Sequence, residues 1–358
     1  MEQNKVRALI IDDSALMRKF LTDTLSQFPE IEIVGTAMDA NIAARKINSL
    51  NPDVITLDVE MPGMDGLTFL QKLMIANPVP AIMVSSVTEK GSTAAIRALE
   101  LGAFDVIGKP QFESKESMDD FTRELVEKVI AAGQSKSRIK KRPSAPLKVE
   151  EKYSADVILS KSDFINKNKP TEKVIAIGAS TGGTEVIDQI LASLPNGCPG
   201  IVITQHMPEK FTEAFANRVN TKSNLLVQEA KNGDRLLTDV ALIAPGGKHM
   251  LLKSDKSGYW VEINDGPPVN RHKPSVDVLF RSVSKFAADS AVGIICTGMG
   301  ADGAAGLLEM KQAGAYTVAQ NEESCVVFGM PKEAIKLGAA DMVTDIDGII
   351  NFIKRMCH

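Results

Sequence analysis

VIAIGASTGGT, residues 174–184, is an apolar run that ends in a glycine-lined turn with one serine, Ser180, at its centre. A short continuous apolar run closed by such a turn and followed by a helical pattern, EVIDQILASL, is the form of a buried parallel strand passing into a covering helix. The same alternation continues towards the C-terminus through GIVITQH, KFTEAFANRV, SVDVLFRSVSKFAAD, AVGIICTG, DGAAGLLEMKQAG, AYTVAQ, KEAIKLG and DMVTD. Between Asn224 and Ile263 the pattern changes to one that predicts β hairpins, with SDKSGY as a turn.

Upstream, the runs VRALIID, EIVGTA, VITLDVEMP, PAIMVSS and FDVIGKP are separated by helical patterns, and MDDFTRELVEKVIAA closes the series. Parallel strands need crossovers that cover both sheet faces, so this half also predicts a doubly wound α/β sheet. From Gly133 to about Thr171 lysine, serine and proline dominate without periodicity, which predicts a flexible linker. The expected organisation is therefore a domain over 1–132, a linker over 133–171 and a second domain over 172–358. A chain of 358 residues, 44% hydrophobic and 24% charged, has the material for two such cores.

A net charge of −4 supplies no global positive field for nucleic acid or an anionic membrane surface, and no basic helix-turn-helix follows the linker. The basic run from Lys136 to Arg142 is read as a solvated tether. The N-terminus lacks the apolar core of a signal peptide and no apolar stretch is long enough to span a bilayer, so a cytoplasmic protein without membrane insertion is expected; a monomer is expected as well. Cys198, Cys296, Cys325 and Cys357 form no CxxC pair, which predicts unpaired thiols rather than a disulfide framework or a zinc site.

In an open α/β sheet ligands gather beyond the carboxyl ends of the strands. In the first half that edge collects Asp12 and Asp13, Asp58, the hydroxyls Ser85 and Ser86, and Lys109. Three carboxylates in one place repel one another unless a divalent cation lies among them, and oxygen ligands suit Mg²⁺. Asp58 is then a phosphoryl acceptor and Lys109 an ion-pair partner for the phosphate.

Ser180 has three readings. GASTGG departs from GxGxxG and lacks the lysine of a P-loop, which weakens a phosphate cradle. A helix cap is the bland alternative. The pattern Gly178-Ala179-Ser180-Thr181-Gly182 fits GxSxG, in which a sharp turn exposes a nucleophilic hydroxyl. A base decides between them. His206 ends GIVITQ as Ser180 ends its own strand, and Asp302 follows VGIIC in TGMGADG, so three strand ends bring a nucleophile, a base and an orienting acid to one edge. The N–H groups of Thr181 and of Met299 in the glycine-rich loop are candidate oxyanion donors. His249 and His272 fall in loops of unassigned direction, and His358 is terminal.

The motifs IIDDS, TLDVEMPGMDG, MVSS and GKP, in that order, resemble the receiver domain of bacterial response regulators over residues 5 to about 130. The resemblance implies a flavodoxin-like fold, phosphorylation at Asp58 by a histidine kinase partner, Mg²⁺ held by Asp12, Asp13, Asp58 and the backbone carbonyl of Glu60, and Ser85 and Lys109 as switch residues, with Ser86 the alternative hydroxyl. GASTGG, TQHMP, PGGKHM, HKPSVDVLF and GMGADGAAGL resemble the catalytic domain of the CheB protein-glutamate methylesterases over residues 172 to 358. That implies a modified doubly wound, Rossmann-like domain with an antiparallel hairpin addition, and a triad of Ser180, His206 and Asp302. It also implies hydrolysis of γ-glutamyl methyl esters on chemoreceptors with release of methanol, deamidation of receptor glutamines, no cofactor for the esterase step, and inhibition by the unphosphorylated receiver. His272 and the PGG motif border the site.

Overall fold

The computed structural model describes residues 5–86, 89–110, 115–135 and 171–357. Residues 136–170 of the expected linker, which include the basic run from Lys136 to Arg142, and His358 lie outside the described residues. The chain divides into two compact units.

The first unit has strands β1 (Val6–Ile11), β2 (Ile31–Ala37), β3 (Val54–Asp58), β4 (Ala81–Ser85) and β5 (Asp105–Gly108) in the spatial order β2-β1-β3-β4-β5, every pair parallel. Helices α1 (Ala15–Leu25), α2 (Ala40–Leu50), α3 (Gly66–Ala76), α4 (Glu89–Glu100) and α5 (Lys115–Ser135) form the crossovers. This is the flavodoxin-like order, whose strand sequence reverses at β1 and β3. β3 and β4 are buried along their whole length, which is why they read as unbroken apolar runs. Polar residues start the helices: Ser14, Asp39 and Asp65 each accept a backbone N–H of the first turn of α1, α2 and α3. Gly66, at the start of α3, lies so close to β3 that a Cβ there would stand 2.0 Å from the Asp58 carbonyl oxygen. α5 runs past the expected boundary at 132 to Ser135 because Gly133 packs bare backbone against Val6.

The second unit has a seven-stranded parallel sheet built from β6 (Val174–Ala179), β7 (Gly200–Gln205), β8 (Leu226–Glu229), β9 (Val240–Ile243), β12 (Ala291–Ile295), β13 (Tyr316–Gln320) and β14 (Met342–Thr344), in the order β14-β13-β12-β6-β7-β9-β8. A separate antiparallel hairpin, β10 (His249–Asp255) with β11 (Gly258–Asn264), turns at the expected SDKSGY. The helices are α6 (Gly183–Ser193), α7 (Phe211–Asn220), α8 (Val276–Phe286), α9 (Ala304–Gln312), α10 (Met330–Lys336) and α11 (Ile346–Lys354). Only one of the expected hairpins forms, since β8 and β9 instead extend the main sheet in parallel. Their short connection carries no helix; it lies against β11, where Gly233 N–H donates to the Val261 carbonyl at 2.9 Å and Leu236 N–H to that of Tyr259 at 3.0 Å.

The expectation that all the thiols are unpaired is corrected at one pair: Cys198, in the loop before β7, is disulfide-bonded to Cys357, just after α11, across 159 residues of sequence. Spacing along the chain carries no sign of this, because the pair exists only once α11 has returned to the sheet. Cys296 and Cys325 are buried and form no disulfide among the described residues.

Sequence progresses outward from β6 through β7 on one side and from β12 through β13 and β14 on the other, so the reversal lies between β6 and β12. α8 reaches that point because glycines face it. A Cβ on Gly178 would sit 2.2 Å from Val276 Cγ1, and one on Gly303, whose φ is +88°, would sit 2.4 Å from the same atom. Gly178→Ala is therefore expected to push the start of α8 away from the sheet and to cost about 1–3 kcal/mol of stability, as overpacking does. Urea denaturation of the whole protein checks it; an unchanged midpoint would show that α8 moves freely.

Candidate active site

The carboxyl edge of the first sheet gathers the acidic residues as expected. Ligand oxygens of Asp12, Asp13 and Asp58 lie within 4.8 Å of one another. Lys109 Nζ donates to Asp58 Oδ2 at 2.7 Å and lies 3.5 Å from Asp12 Oδ2. One ammonium does not compensate three carboxylates. Burial, with Asp12 nearby, lifts Asp58 above the ordinary carboxylate range against the pull of Lys109, and burial lifts Asp12 likewise. Asp12 Oδ2 is buried without a hydrogen-bond partner. These oxygens fit a hard divalent cation. Glu60 contributes its N–H to Asp58 Oδ1 at 3.2 Å. Ser85 is buried at the end of β4, and its carbonyl accepts the Lys109 N–H at 2.7 Å.

At the second edge β6 and β7 are paired in register up to Ala179 and Gln205, so Ser180 and His206 leave neighbouring strands side by side. His206 N–H donates to the Ala179 carbonyl at 3.1 Å. Gln205 Nε2 donates to both the Ser180 carbonyl, at 2.8 Å, and the His206 carbonyl, at 3.1 Å, so one buried amide ties the two residues together. Ser180 N–H donates to the Thr297 carbonyl at 3.0 Å, which joins the same turn to the end of β12. The helix-cap alternative does not hold: Gly182 caps α6, with no side-chain hydrogen bond.

Asp302 completes the group. Its Oδ2 accepts from His206 Nε2 at 2.8 Å and Val276 N–H at 2.7 Å; its Oδ1 accepts from Asn270 Nδ2 at 2.7 Å, Ser275 Oγ at 2.8 Å and Asp277 N–H at 3.3 Å. Two of these donors are the first N–H groups of α8, a position that favours an anion. Burial alone pushes the Asp302 carboxyl up, but His206, Asn270 and Val276 hold it well below the usual carboxylate range. A carboxylate acceptor at Nε2 fixes the proton on that nitrogen. In the neutral ring this makes Nδ1 the acceptor, and Nδ1 is buried with no hydrogen-bond partner.

The directions of the other histidines follow. His249 opens β10 and is buried; its Nε2 pairs with the Pro267 carbonyl at 3.0 Å and its Nδ1 accepts the Ser275 N–H at 3.2 Å, so it anchors the loop before α8. His272 lies flat on His206, with ring centroids 3.8 Å apart. Thr181 is buried and Met299 half-buried. Among the described residues neither N–H donates to a backbone carbonyl, whereas the adjoining N–H groups of Ser180 and Gly298 do.

Four residues at the site escape the sequence reading: Gln205, Asn270, Ser275 and Asp277. Ser275 carries a usable signal, a serine directly before the apolar pattern VDVLF. Gln205 looks like an ordinary strand-end residue, and Asn270 and Asp277 reach Asp302 only through the folded loop.

Residues 8–118 match the family model of the response regulator receiver domain, and residues 175–353 that of the CheB methylesterase. The chain is 52% identical over 346 residues to a protein-glutamate methylesterase/protein-glutamine glutaminase of Geobacter metallireducens, covering 97% of this chain and 94% of the relative. A protein of the same name from Chromobacterium violaceum is 51% identical over 354 residues, 98% of this chain and 99% of its own. Among solved structures the CheB methylesterase catalytic domain of Thermotoga maritima aligns with a TM-score of 0.51 at 35% identity, over 52% of this chain and 99% of that one. With both sheet edges built as described, the chain belongs to the CheB methylesterase family, its catalytic domain preceded by a response regulator receiver domain.

Proposed function

We propose that this protein is a serine hydrolase that converts γ-glutamyl methyl esters of chemoreceptors to glutamate and methanol, and receptor glutamines to glutamate and ammonia, under control of its receiver domain. The observation that carries the reading is His206: its Nε2 pairs with Asp302 and its buried Nδ1 has no hydrogen-bond partner, on the strand end beside Ser180. Ser180 Oγ attacks the ester carbonyl while Nδ1 takes the hydroxyl proton. The imidazolium that forms is stabilised by the Asp302 carboxylate and returns the proton to the departing methoxide, giving methanol and an acyl-serine. Water, deprotonated by the same Nδ1, then releases the glutamate. The oxyanion is taken up by the N–H groups of Thr181 and Met299, a role supported by their freedom from backbone carbonyls.

In the receiver, Asp58 accepts a phosphoryl group from a histidine kinase. Asp12, Asp13 and Asp58, with the Glu60 carbonyl, are the residues that would hold Mg²⁺. When bound, the ion offsets the charge of the carboxylates and the incoming phosphate. Lys109 exchanges its contact with the Asp58 carboxylate for one with the phosphate, and the Ser85 hydroxyl follows it. The unphosphorylated receiver holds the hydrolase in a low-activity state that phosphorylation disfavours. The protein acts in the cytoplasm as a monomer. No helix among the described residues is long and apolar enough to cross a membrane.

Ser180→Ala is expected to abolish methanol release from methylated receptor membranes and labelling by a fluorophosphonate, while Asp58 still accepts phosphate from acetyl phosphate. Methanol release at the wild-type rate would remove Ser180 from the mechanism. Asp302→Asn removes the charge that stabilises the imidazolium, and its amide NH₂ facing Nε2 would move the ring proton to Nδ1; kcat is expected to fall by about 10⁴. Acetyl phosphate is expected to raise methanol release by the full-length protein about tenfold, a shift of roughly 1.4 kcal/mol between two states. The Asp58→Ala protein should not respond, and a response from it would place the control elsewhere.

A further inference from the structure

The segment Val269-Asn270-Arg271-His272 is a tight hairpin turn behind His206 and Asp302. Val269 N–H donates to the His272 carbonyl at 3.1 Å and His272 N–H to the Val269 carbonyl at 2.9 Å. The two central residues, Asn270 and Arg271, have φ of +51° and +69°, as a type I′ turn requires, and asparagine is among the few side chains that tolerate the first of them. Asn270 is exposed at this tip, yet its side chain reaches inward. Its Nδ2 donates to Asp302 Oδ1 at 2.7 Å and to Asp277 Oδ2 at 2.5 Å. An amide NH₂ has two hydrogens, so both are engaged, one on each carboxylate.

Besides Asn270, the charge of Asp277 is offset only by the backbone N–H groups of Gly306 and Gly303 and by the nearby Arg281. Its Oδ1 accepts the Gly306 N–H at 2.6 Å; burial and the charge of Asp302 push its carboxyl above the ordinary range against that bond. Two carboxylates that share one donor repel when the donor is removed, and Asp302 is the one whose direction matters. A small rotation takes its Oδ2 out of line with His206 Nε2. His272, the last residue of the same turn, lies against the opposite partner of that bond, the His206 ring.

We propose that Asn270 is a positioning residue of the hydrolase, its side-chain amide bridging Asp302 and Asp277 so that Asp302 keeps the orientation in which it accepts the hydrogen bond of His206 Nε2. The proposal rests on the reading of Ser180, His206 and Asp302 as the hydrolytic triad. Asn270 acts through Asp302, not on the substrate, so its removal is expected to lower kcat and leave KM unchanged.

Three variants of the full-length protein test this on methylated receptor membranes. Asn270→Gly removes the amide and accepts the positive φ without strain, and kcat is expected to fall about tenfold. Asn270→Asp also tolerates the turn but replaces the donor with a third carboxylate, and a fall of about a hundredfold is expected. Asp277→Asn added to Asn270→Gly removes one of the repelling charges and should recover most of the lost kcat. Wild-type kcat in both single variants would reduce Asn270 to a turn residue and overturn the proposal. Equal losses in Gly and Asp, with no recovery from the Asp277 change, would overturn it as well. Ser180→Ala, assayed alongside, separates the two levels. If it is inactive while the Asn270 variants are normal, only the positioning role fails; if it is active, the triad reading and this inference fail together.

Discussion

The Asp302 carboxylate is the fixed point of the catalytic domain. A buried carboxylate costs several kcal/mol unless hydrogen bonds replace its lost hydration. Here the replacement comes from side chains of His206, Asn270 and Ser275 and from the first N–H groups of α8. The donors are delivered by several local devices. α8 approaches because Gly178 and Gly303 leave room for Val276, Ser275 caps that helix and Asn270 arrives on a two-residue turn. Saturating the carboxylate in this way keeps it ionised, and an ionised Asp302 in turn fixes which nitrogen of His206 bears the proton. Packing of a helix against a strand thus decides which nitrogen of the proposed base faces the acid.

The receiver domain sets out the opposite balance with the same groups. Asp12 and Asp58, with Asp13 nearby, share a single lysine, and too few hydrogen bonds oppose burial, so Asp12 and Asp58 are lifted above the ordinary range. Asp302 has more donors than most carboxylates, whereas Asp58 has too few for its surroundings. The first arrangement suits a residue whose charge stays constant through a reaction cycle. The second suits one that gains by acquiring a cation and a phosphoryl group, because its resting state is electrostatically incomplete. Two domains with parallel sheets and sites at the same kind of edge therefore do different work through the degree to which carboxylates are satisfied.

Much of this is legible in the sequence wherever the determinants are local. Strands β3, β4, β6 and β7 are fully buried and read as largely apolar runs, so the residues that end or directly follow them, Asp58, Ser85, Ser180 and His206 among them, are placed at strand ends without coordinates. What escapes depends on contacts between distant segments. β8 and β9 have four residues each and a connection too short for a helix, so they read as a hairpin; their parallel pairing is set by β7 and β11. Cys198 and Cys357 meet only because α11 folds back. Asn270 sits among PVNRHKP, where asparagine and proline signal a turn but nothing says which carboxylates the turn will face.

The orientation of His206 follows from strand order. Ser180 leaves β6, His206 leaves β7 beside it, and Asp302 follows β12 on the far side of β6. Neighbouring strands are about 4.8 Å apart, so the acid's strand lies roughly 10 Å from the histidine's, two spacings away, while the serine's is one spacing away. Nδ1 lies close to its own backbone and Nε2 at the far end of the ring. The far nitrogen is the one able to cross β6 to Asp302, and the near nitrogen is left for the adjacent serine. A histidine on the other side of the acid would have to use its nitrogens in the reverse order. The proposed choice of Nδ1 as the proton acceptor is accordingly a consequence of placing the nucleophile on the strand between the base and the acid, the same topological reversal that draws α8 and its N–H groups to Asp302.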